Sequence, residues 1–419
     1  MKALSPLIVF VVLYLATSII AQDFYKVPIT VAFLISALYA LWLTKGSADM
    51  RMKIFAKGAG NQQMVLMLLI FVLAGAFAAS AKAMGAVDAT VNLTLRYLPE
   101  SFILPGVFIA SCFISLSIGT SCGTIAALTP VAVGIAQQSG IDVAMMVGLV
   151  VGGTYFGDNL SFISDTTIIA TQTQGCKMND KFKVNSRIVV PVAFIMLIVY
   201  YIIGQGIEVD HAIPPVDFWK VIPYLVVILT ALYGIHVLLV LVVGLVMSGL
   251  IGIIDGSYDV FGLFSSMNEG MMGMAELIIV TILAGGMLEL IRYNGGIDFI
   301  INKITKNIGS KRGAEFSIAA LVCLVNICTA NNTVAIITIG PIANDIANKF
   351  DIDKRKSASI LDTMSCFTQG LLPYGAQVLI AAGLASLNPI EIIPWLFYPV
   401  AIGIAVMVSI AFRYPRKYA

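Results

Sequence analysis

Charge is scarce in this chain. Asp, Glu, Lys and Arg supply 11% of its 419 residues, less than half the roughly 25% of an average soluble domain. That excludes a water-soluble globule, which needs many more ionised side chains facing solvent. What charge there is nearly cancels: a net value of +2 leaves no basic patch, so no nucleic-acid partner is expected. Histidine is rarer still, with only His211 and His236; both fall near expected span ends, where a solvated ring is the plainer reading than a proton relay. The six cysteines (Cys112, Cys122, Cys176, Cys323, Cys328 and Cys366) form no CxxC pair and mostly lie in apolar runs, which argues against a disulfide framework or a metal cluster. No set of His, Cys or Ser suits nucleophilic catalysis. An enzyme and a resident cofactor are therefore not expected.

What the chain has in abundance is apolar surface: 59% of residues are hydrophobic and the mean hydropathy is +0.95. Runs of about 18 or more apolar residues can cross a bilayer as helix, so an all-α polytopic membrane protein is expected, with the lipid bilayer as its principal partner. Spans are read at Leu4–Ala21, Val27–Thr44, Met64–Met84, Val143–Thr173, Ile188–Gly204, Trp219–Leu232, Ile235–Ile254, Gly273–Ile291, Ser357–Ala385 and Ile392–Phe412. The first resembles a signal peptide, with Ala16-Thr17-Ser18 as a passable cleavage site. A matching span at the start of the second half argues that it is a span instead.

The two halves repeat. Leu73-Ala74-Gly75 recurs as Leu283-Ala284-Gly285 and Gly85-Ala86-Val87-Asp88 as Gly295-Gly296-Ile297-Asp298, at a shift of 210; one residue more aligns Pro130 with Pro341 and Ile141-Asp142 with Ile352-Asp353. Such duplication is typical of secondary transporters, which hold cargo where the repeats meet. We divide the chain into 1–210, with a hairpin at 102–138 and a broken helix at 143–173, and 211–419, with a hairpin at 314–348 and a broken helix at 357–385.

Loop charge sets their orientation, because Lys and Arg collect on the cytoplasmic side. Basic loops are Lys45 to Lys57, Lys177 to Arg187, Lys303 to Arg312, Lys349 to Lys356 and the tail Arg413 to Lys417. Acidic or neutral loops are Gln22 to Lys26, Asp88 to Glu100, Glu208 to Asp217 and Asp255 to Glu269. Keeping every basic loop on one side requires Phe102–Gln138 and Ala314–Asn348 each to cross an even number of times. Their arms are barely long enough to span, so each is read as a re-entrant hairpin. The result is two inverted repeats of five spans each, ten spans and two hairpins in all, with both termini cytoplasmic and the hairpin tips meeting at mid-depth.

Oxygen ligands concentrate there. The first tip carries Thr120, Ser121 and Thr124, the second Asn331, Asn332 and Thr333, and a small hard cation prefers such ligands. Any one hydroxyl is more simply helix-packing glue; a polar cluster recurring at the repeat-equivalent place favours a site. Asp158 and Asp165 stand in a run (GDNLSFISDTT, 157–167) that also holds Asn159, Ser161, Ser164 and Thr166. Ionisable groups in hydrocarbon are costly and mark transport paths. Gly152, Gly153 and Gly157 suggest a helix break beside the acids, and Gly370, Pro373 and Gly375 a matching one. Gln369 and Gln377, opposite the acidic segment in the repeat, are placed either to complete a site or to cross-link helices. Burial opposes the charged carboxylate and a bound cation favours it, so Na⁺ and H⁺ compete for Asp165 and Asp158, the expected Na⁺ ligands.

Other charges read more plainly. Glu289 and Arg292 are placed to pair along one helix, Lys82 to snorkel, and Asp362 to pair at the surface with Lys354, Arg355 or Lys356, or as the second choice to line the cytoplasmic exit. The sequon at Asn92 is a short, weak pattern and that at Asn331 lies at membrane depth.

Thr120 to Thr124 with its flanking Gly119, followed by Gly157 to Thr167, resembles the NhaC-type Na⁺/H⁺ antiporters. That family is similar in architecture to the ion transporter superfamily, whose hairpin tips carry Ser-Asn-Thr-like motifs; Asn331-Asn332-Thr333 looks like one such tip. The chain departs from the pattern at Phe162, commonly proline, and at Asn331, where serine is usual. The resemblance implies Na⁺/H⁺ exchange across a bacterial inner membrane, with Na⁺ and H⁺ transported, and a homodimer. Relatives that carry amino or organic acids keep a second class open, a Na⁺- or H⁺-coupled carrier of a small amino acid or carboxylate.

Overall fold

The computed structural model describes residues 2–21, 28–161, 164–207, 215–233, 235–306 and 308–418. Phe162, His211, Gln22 to Lys26 and most of the Glu208 to Asp217 loop lie outside them. Every element of regular structure among the described residues is helical. The first half comprises α1 (Ser5–Ala21), α2 (Ile29–Leu43), α3 (Ala48–Ala59), α4 (Gln62–Ala83), α5 (Ala86–Tyr97), α6 (Ile103–Ile118), α7 (Ser121–Ser139), α8 (Val143–Leu160), α9 (Asp165–Gln174) and α10 (Met178–Gly204). The second comprises α11 (Phe218–Leu232), α12 (Val237–Ile254), α13 (Val260–Gly273), α14 (Ala275–Tyr293), α15 (Gly296–Thr305), α16 (Lys311–Thr329), α17 (Asn332–Lys349), α18 (Lys354–Gly370), α19 (Ala376–Ala385), α20 (Pro389–Ile392) and α21 (Phe397–Ala411).

Six helical stretches are long and apolar enough to cross a bilayer, or up to eight if each of two sharply bent pairs is one span. The expected spans at α1, α2, α11 and α21 are shorter apolar helices of 15 to 17 residues. One arm of the second expected hairpin, Lys311–Thr329, meets the length and hydropathy of a full span by itself. Several expected loops are helical. Ser47 caps α3 by accepting from the Met50 N–H at 3.3 Å, and Asp259 caps α13 by accepting from Gly262 at 2.7 Å, so Lys45 to Lys57 and Asp255 to Glu269 are mostly helix. Asp88 to Glu100 is largely α5.

Repeat-equivalent residues do equivalent work. Gly85 and Gly295 are both left-handed, at φ 82° and 79°, where α4 turns into α5 and α14 into α15; a Cβ would be strained there. Asp142 and Asp353 cap α8 and α18, accepting from Met145 at 2.8 Å and Arg355 at 2.9 Å. Packing is reciprocal as well: α3 lies on α14 while α13 lies on α4. Gly58 meets Gly285 in the first contact and Gly270 meets Gly75 in the second, each so close that an added Cβ would strike backbone.

The glycines of α8 prove to be packing positions rather than breaks. The helix runs unbroken through Gly152, Gly153 and Gly157 to Leu160. Gly153 and Gly157 let α6 approach, and a Cβ on Gly157 would collide with Ser115, whose hydroxyl donates to the Thr154 carbonyl at 2.6 Å. Gly157→Ala should therefore cost about 1–3 kcal/mol of stability by overpacking, read as an earlier thermal transition in detergent. A transition equal to the wild type's would mean that α6 yields freely.

Candidate functional site

Two helix breaks and two hairpin turns converge on one cavity of about 450 Å³. Chain reversal at the first turn depends on Gly119 (φ 72°), and at the second on Ala330, held left-handed at φ 49°. The first break lies between Leu160 and Asp165, later than the glycines suggested, and the second between Gly370 and Ala376. The helices α7, α9, α17 and α19 all begin at this cavity. Their N-terminal N–H groups bring partial positive charge to it.

Thr120, Ser121, Asp158, Ser164, Asp165, Thr166, Asn331, Asn332, Thr333, Gln369 and Gln377 line the cavity. Asp158 is 3% exposed and accepts from the Ser121 N–H at 3.1 Å, so its carboxylate sits on the N-terminus of α7. Asp165 opens α9 and is exposed to the cavity. Because the chain breaks between them, the acids share no helix face; they flank the opening instead. No Lys or Arg lines the cavity among the described residues.

A chain of amides links the two turns. Gln369 donates to the Ala330 carbonyl at 3.1 Å and to Gln377 Oε1 at 3.0 Å, and Gln377 donates to Ser121 Oγ at 2.9 Å. Asn331 caps α17 through the Val334 N–H at 3.0 Å. Buried Asn332 Nδ2 and Gln369 Oε1 have no hydrogen-bond partner among the described residues. Both belong to residues on the cavity wall.

Three expected ligands fall outside the cavity lining. Thr124 turns its hydroxyl back to the Thr120 carbonyl at 3.2 Å, as helix hydroxyls do. Asn159 points the other way, donating to the Tyr155 carbonyl at 2.8 Å, and Ser161 is buried at the end of α8. His236, read as a solvated loop residue, does line the cavity. It caps α12, its Nδ1 accepting from the Leu238 N–H at 3.3 Å.

Behind the first break lies an ion pair that sequence reasoning missed. Lys181, assigned to a basic loop, is 1% exposed on α10 and pairs with Asp362 on α18, which is fully buried. Its ammonium also donates to Thr167 Oγ1 at 2.6 Å and to the Asn159 carbonyl at 2.9 Å. Asn185, one turn along α10, donates to the same carbonyl at 3.0 Å and accepts from Ser359. The expected surface partner Lys356 instead faces Glu315 at 3.4 Å, also buried. The four-residue spacing of Lys181 and Asn185 was the available signal. Glu289 and Arg292 pair as expected, at 3.5 Å. All six cysteines are free, and Asn92 is buried on α5.

The sequence pattern of the Na⁺/H⁺ antiporter family matches residues 1–205 and 212–415. Among individual proteins, the chain is similar to the Na⁺/H⁺ antiporter NhaC of Bacillus subtilis, 24% identical over 85% of each chain. It is also similar to the malate-2H⁺/Na⁺-lactate antiporter of the same organism, 22% identical over 95% of this chain and 92% of that one. The arginine/ornithine antiporter ArcD of Halobacterium salinarum is 21% identical over 77% and 74%. Among solved structures, the Alcanivorax borkumensis YdaH transporter aligns with a TM-score of 0.47 at 13% identity, over 92% of this chain and 99% of that one.

Proposed function

This chain belongs to the Na⁺/H⁺ antiporter family and is a multi-pass secondary transporter rather than an enzyme; from that premise we propose that it exchanges Na⁺ for H⁺ across a bacterial inner membrane. The observation that carries this reading is the placement of Asp158 and Asp165 on either side of a helix break, in a cavity walled by both polar turns and, among the described residues, by no Lys or Arg. A cation entering it meets two carboxylates plus the hydroxyl and amide oxygens of Thr120, Ser121, Asn331, Asn332 and Thr333. The helix N-termini offset part of the acids' charge. Na⁺ retention therefore depends on the carboxylates being ionised. A proton arriving at either acid lowers the charge that holds Na⁺, so each ion displaces the other and exchange follows.

In this reading the repeats 1–210 and 211–419 are inverted, with ten spans, two re-entrant hairpins and both termini cytoplasmic. The reciprocal packing of α3 on α14 and α13 on α4, and the paired left-handed kinks at Gly85 and Gly295, support it. An inverted pair has two near-equivalent arrangements, which is what alternating access requires.

Cavity size favours a second reading. A volume of about 450 Å³ falls within the roughly 300–1,000 Å³ of small-molecule sites. Helix N-termini can hold a carboxylate while Asp165 faces an ammonium, and two of the relatives are named for organic-acid and amino-acid exchange. Proteoliposomes holding an acid-inside gradient and a pH-quenched dye separate the two. Dequenching on Na⁺ alone is expected, with Li⁺ and K⁺ compared. Dequenching that requires an amino acid, malate or lactate would replace Na⁺/H⁺ exchange with the coupled-carrier reading.

A further inference from the structure

The Lys181 ammonium has three N–H donors and meets three oxygens: the Asn159 carbonyl, the Thr167 hydroxyl and the Asp362 carboxylate. One carbonyl, one hydroxyl and one carboxylate, in a place closed to solvent, are the oxygen types that hold a hard monovalent cation. The carbonyl is available because α8 ends at Leu160, leaving its last carbonyls without helical partners. Four helices, α8, α9, α10 and α18, contribute to this one cluster.

Not every oxygen here finds a proton. Asp362 Oδ1 and Asn159 Oδ1 are buried and have no hydrogen-bond partner among the described residues. Both belong to residues that the ammonium already bridges. The Asn159 carbonyl, Thr167 Oγ1 and the two oxygens of the Asp362 carboxylate make four oxygens, one of them unpartnered, a set that a metal ion taking up to six ligands can use.

We propose that the oxygens of Asn159, Thr167 and Asp362 form a second monovalent-cation site, distinct from the Asp158 and Asp165 cavity, whose built-in occupant in this chain is the Lys181 ammonium. The tethered charge neutralises Asp362 and ties the end of α8 to α10 and α18 without drawing an ion from solution. Removing it exposes a site that Na⁺ can fill.

The test uses the full chain in detergent. Equilibrium ²²Na⁺ binding and thermal unfolding, in NaCl against choline chloride, are measured for the wild type, K181A, K181A/D362N and K181A/D165N. K181A is expected to bind about one more Na⁺ per chain than the wild type and to gain more heat stability from Na⁺, since a ligand stabilises the folded state to which it binds. K181A/D362N should lose both gains, because the carboxylate that replaces bulk water around the ion is gone. K181A/D165N should keep the added Na⁺ even where cavity binding fails, which separates this proposal from the exchange reading. An unchanged Na⁺ count in K181A overturns the proposal. So does a K181A chain that Na⁺ does not keep folded.

Discussion

Asp165→Asn should silence Na⁺-driven dequenching while leaving the protein folded. Asparagine keeps the shape of aspartate and removes its charge, and Asp165 stands exposed at the cavity wall, at the first position of α9. The fold therefore loses little. Cation binding loses much: removing partners one shell further out commonly costs about 10–100-fold in metal affinity, so a charged wall group should cost on the order of 100-fold or more. The check is the Na⁺ concentration dependence of dequenching, with size-exclusion behaviour as the control for folding. Normal exchange by this variant would remove Asp165 from the mechanism. Asp158→Asn should behave differently, because an amide oxygen can still accept from the Ser121 N–H. Its expected mark is a displaced pH profile of exchange rather than a loss of structure.

Asp362→Leu should be severely destabilising. It leaves the Lys181 ammonium buried, with a carbonyl and a hydroxyl but no counter-charge. Breaking a buried pair by removing one partner costs about 3–5 kcal/mol, whereas replacing both partners with apolar groups is often neutral. Lys181→Met/Asp362→Leu should accordingly recover most of the heat stability that Asp362→Leu loses, measured by thermal unfolding in detergent. Na⁺ should not rescue Asp362→Leu, since no site is vacated. A single variant as heat-stable as the wild type would show that the pair contributes little.

The halves of the chain were legible because turn chemistry repeats along it. Gly85 and Gly295, Asp142 and Asp353, and Gly119 and Ala330 each act within a few residues of themselves, as kinks, caps and reversals. The cavity was legible for a related reason, as polar residues are conspicuous in an apolar chain. Eleven of the fourteen expected site residues line it. Asn159 and Ser161 lie outside the lining because α8 runs on to Leu160 and its register turns them away, and Thr124 because its hydroxyl bonds back to the Thr120 carbonyl within α7. Gly153 and Gly157 misled because glycine serves two ends, breaking a helix and letting another come close. Here the neighbouring α6 decides between them. Lys181 was lost to a loop assignment because lysine content is a guide to topology and says nothing of a partner 181 residues away.

By itself, then, the order of residues determined that this is a helical membrane protein whose two halves repeat their kinks and caps, with two acids and two oxygen-rich turns among its apolar runs. Hydropathy, caps and glycine kinks are local properties, and they survive being read one residue at a time. Only the packed structure decided which oxygens face the cavity, where the helix opens, and that Lys181 neutralises Asp362. Those outcomes turn on helices meeting across the whole chain, where burial makes an unpaired charge too costly to leave and so selects its partner.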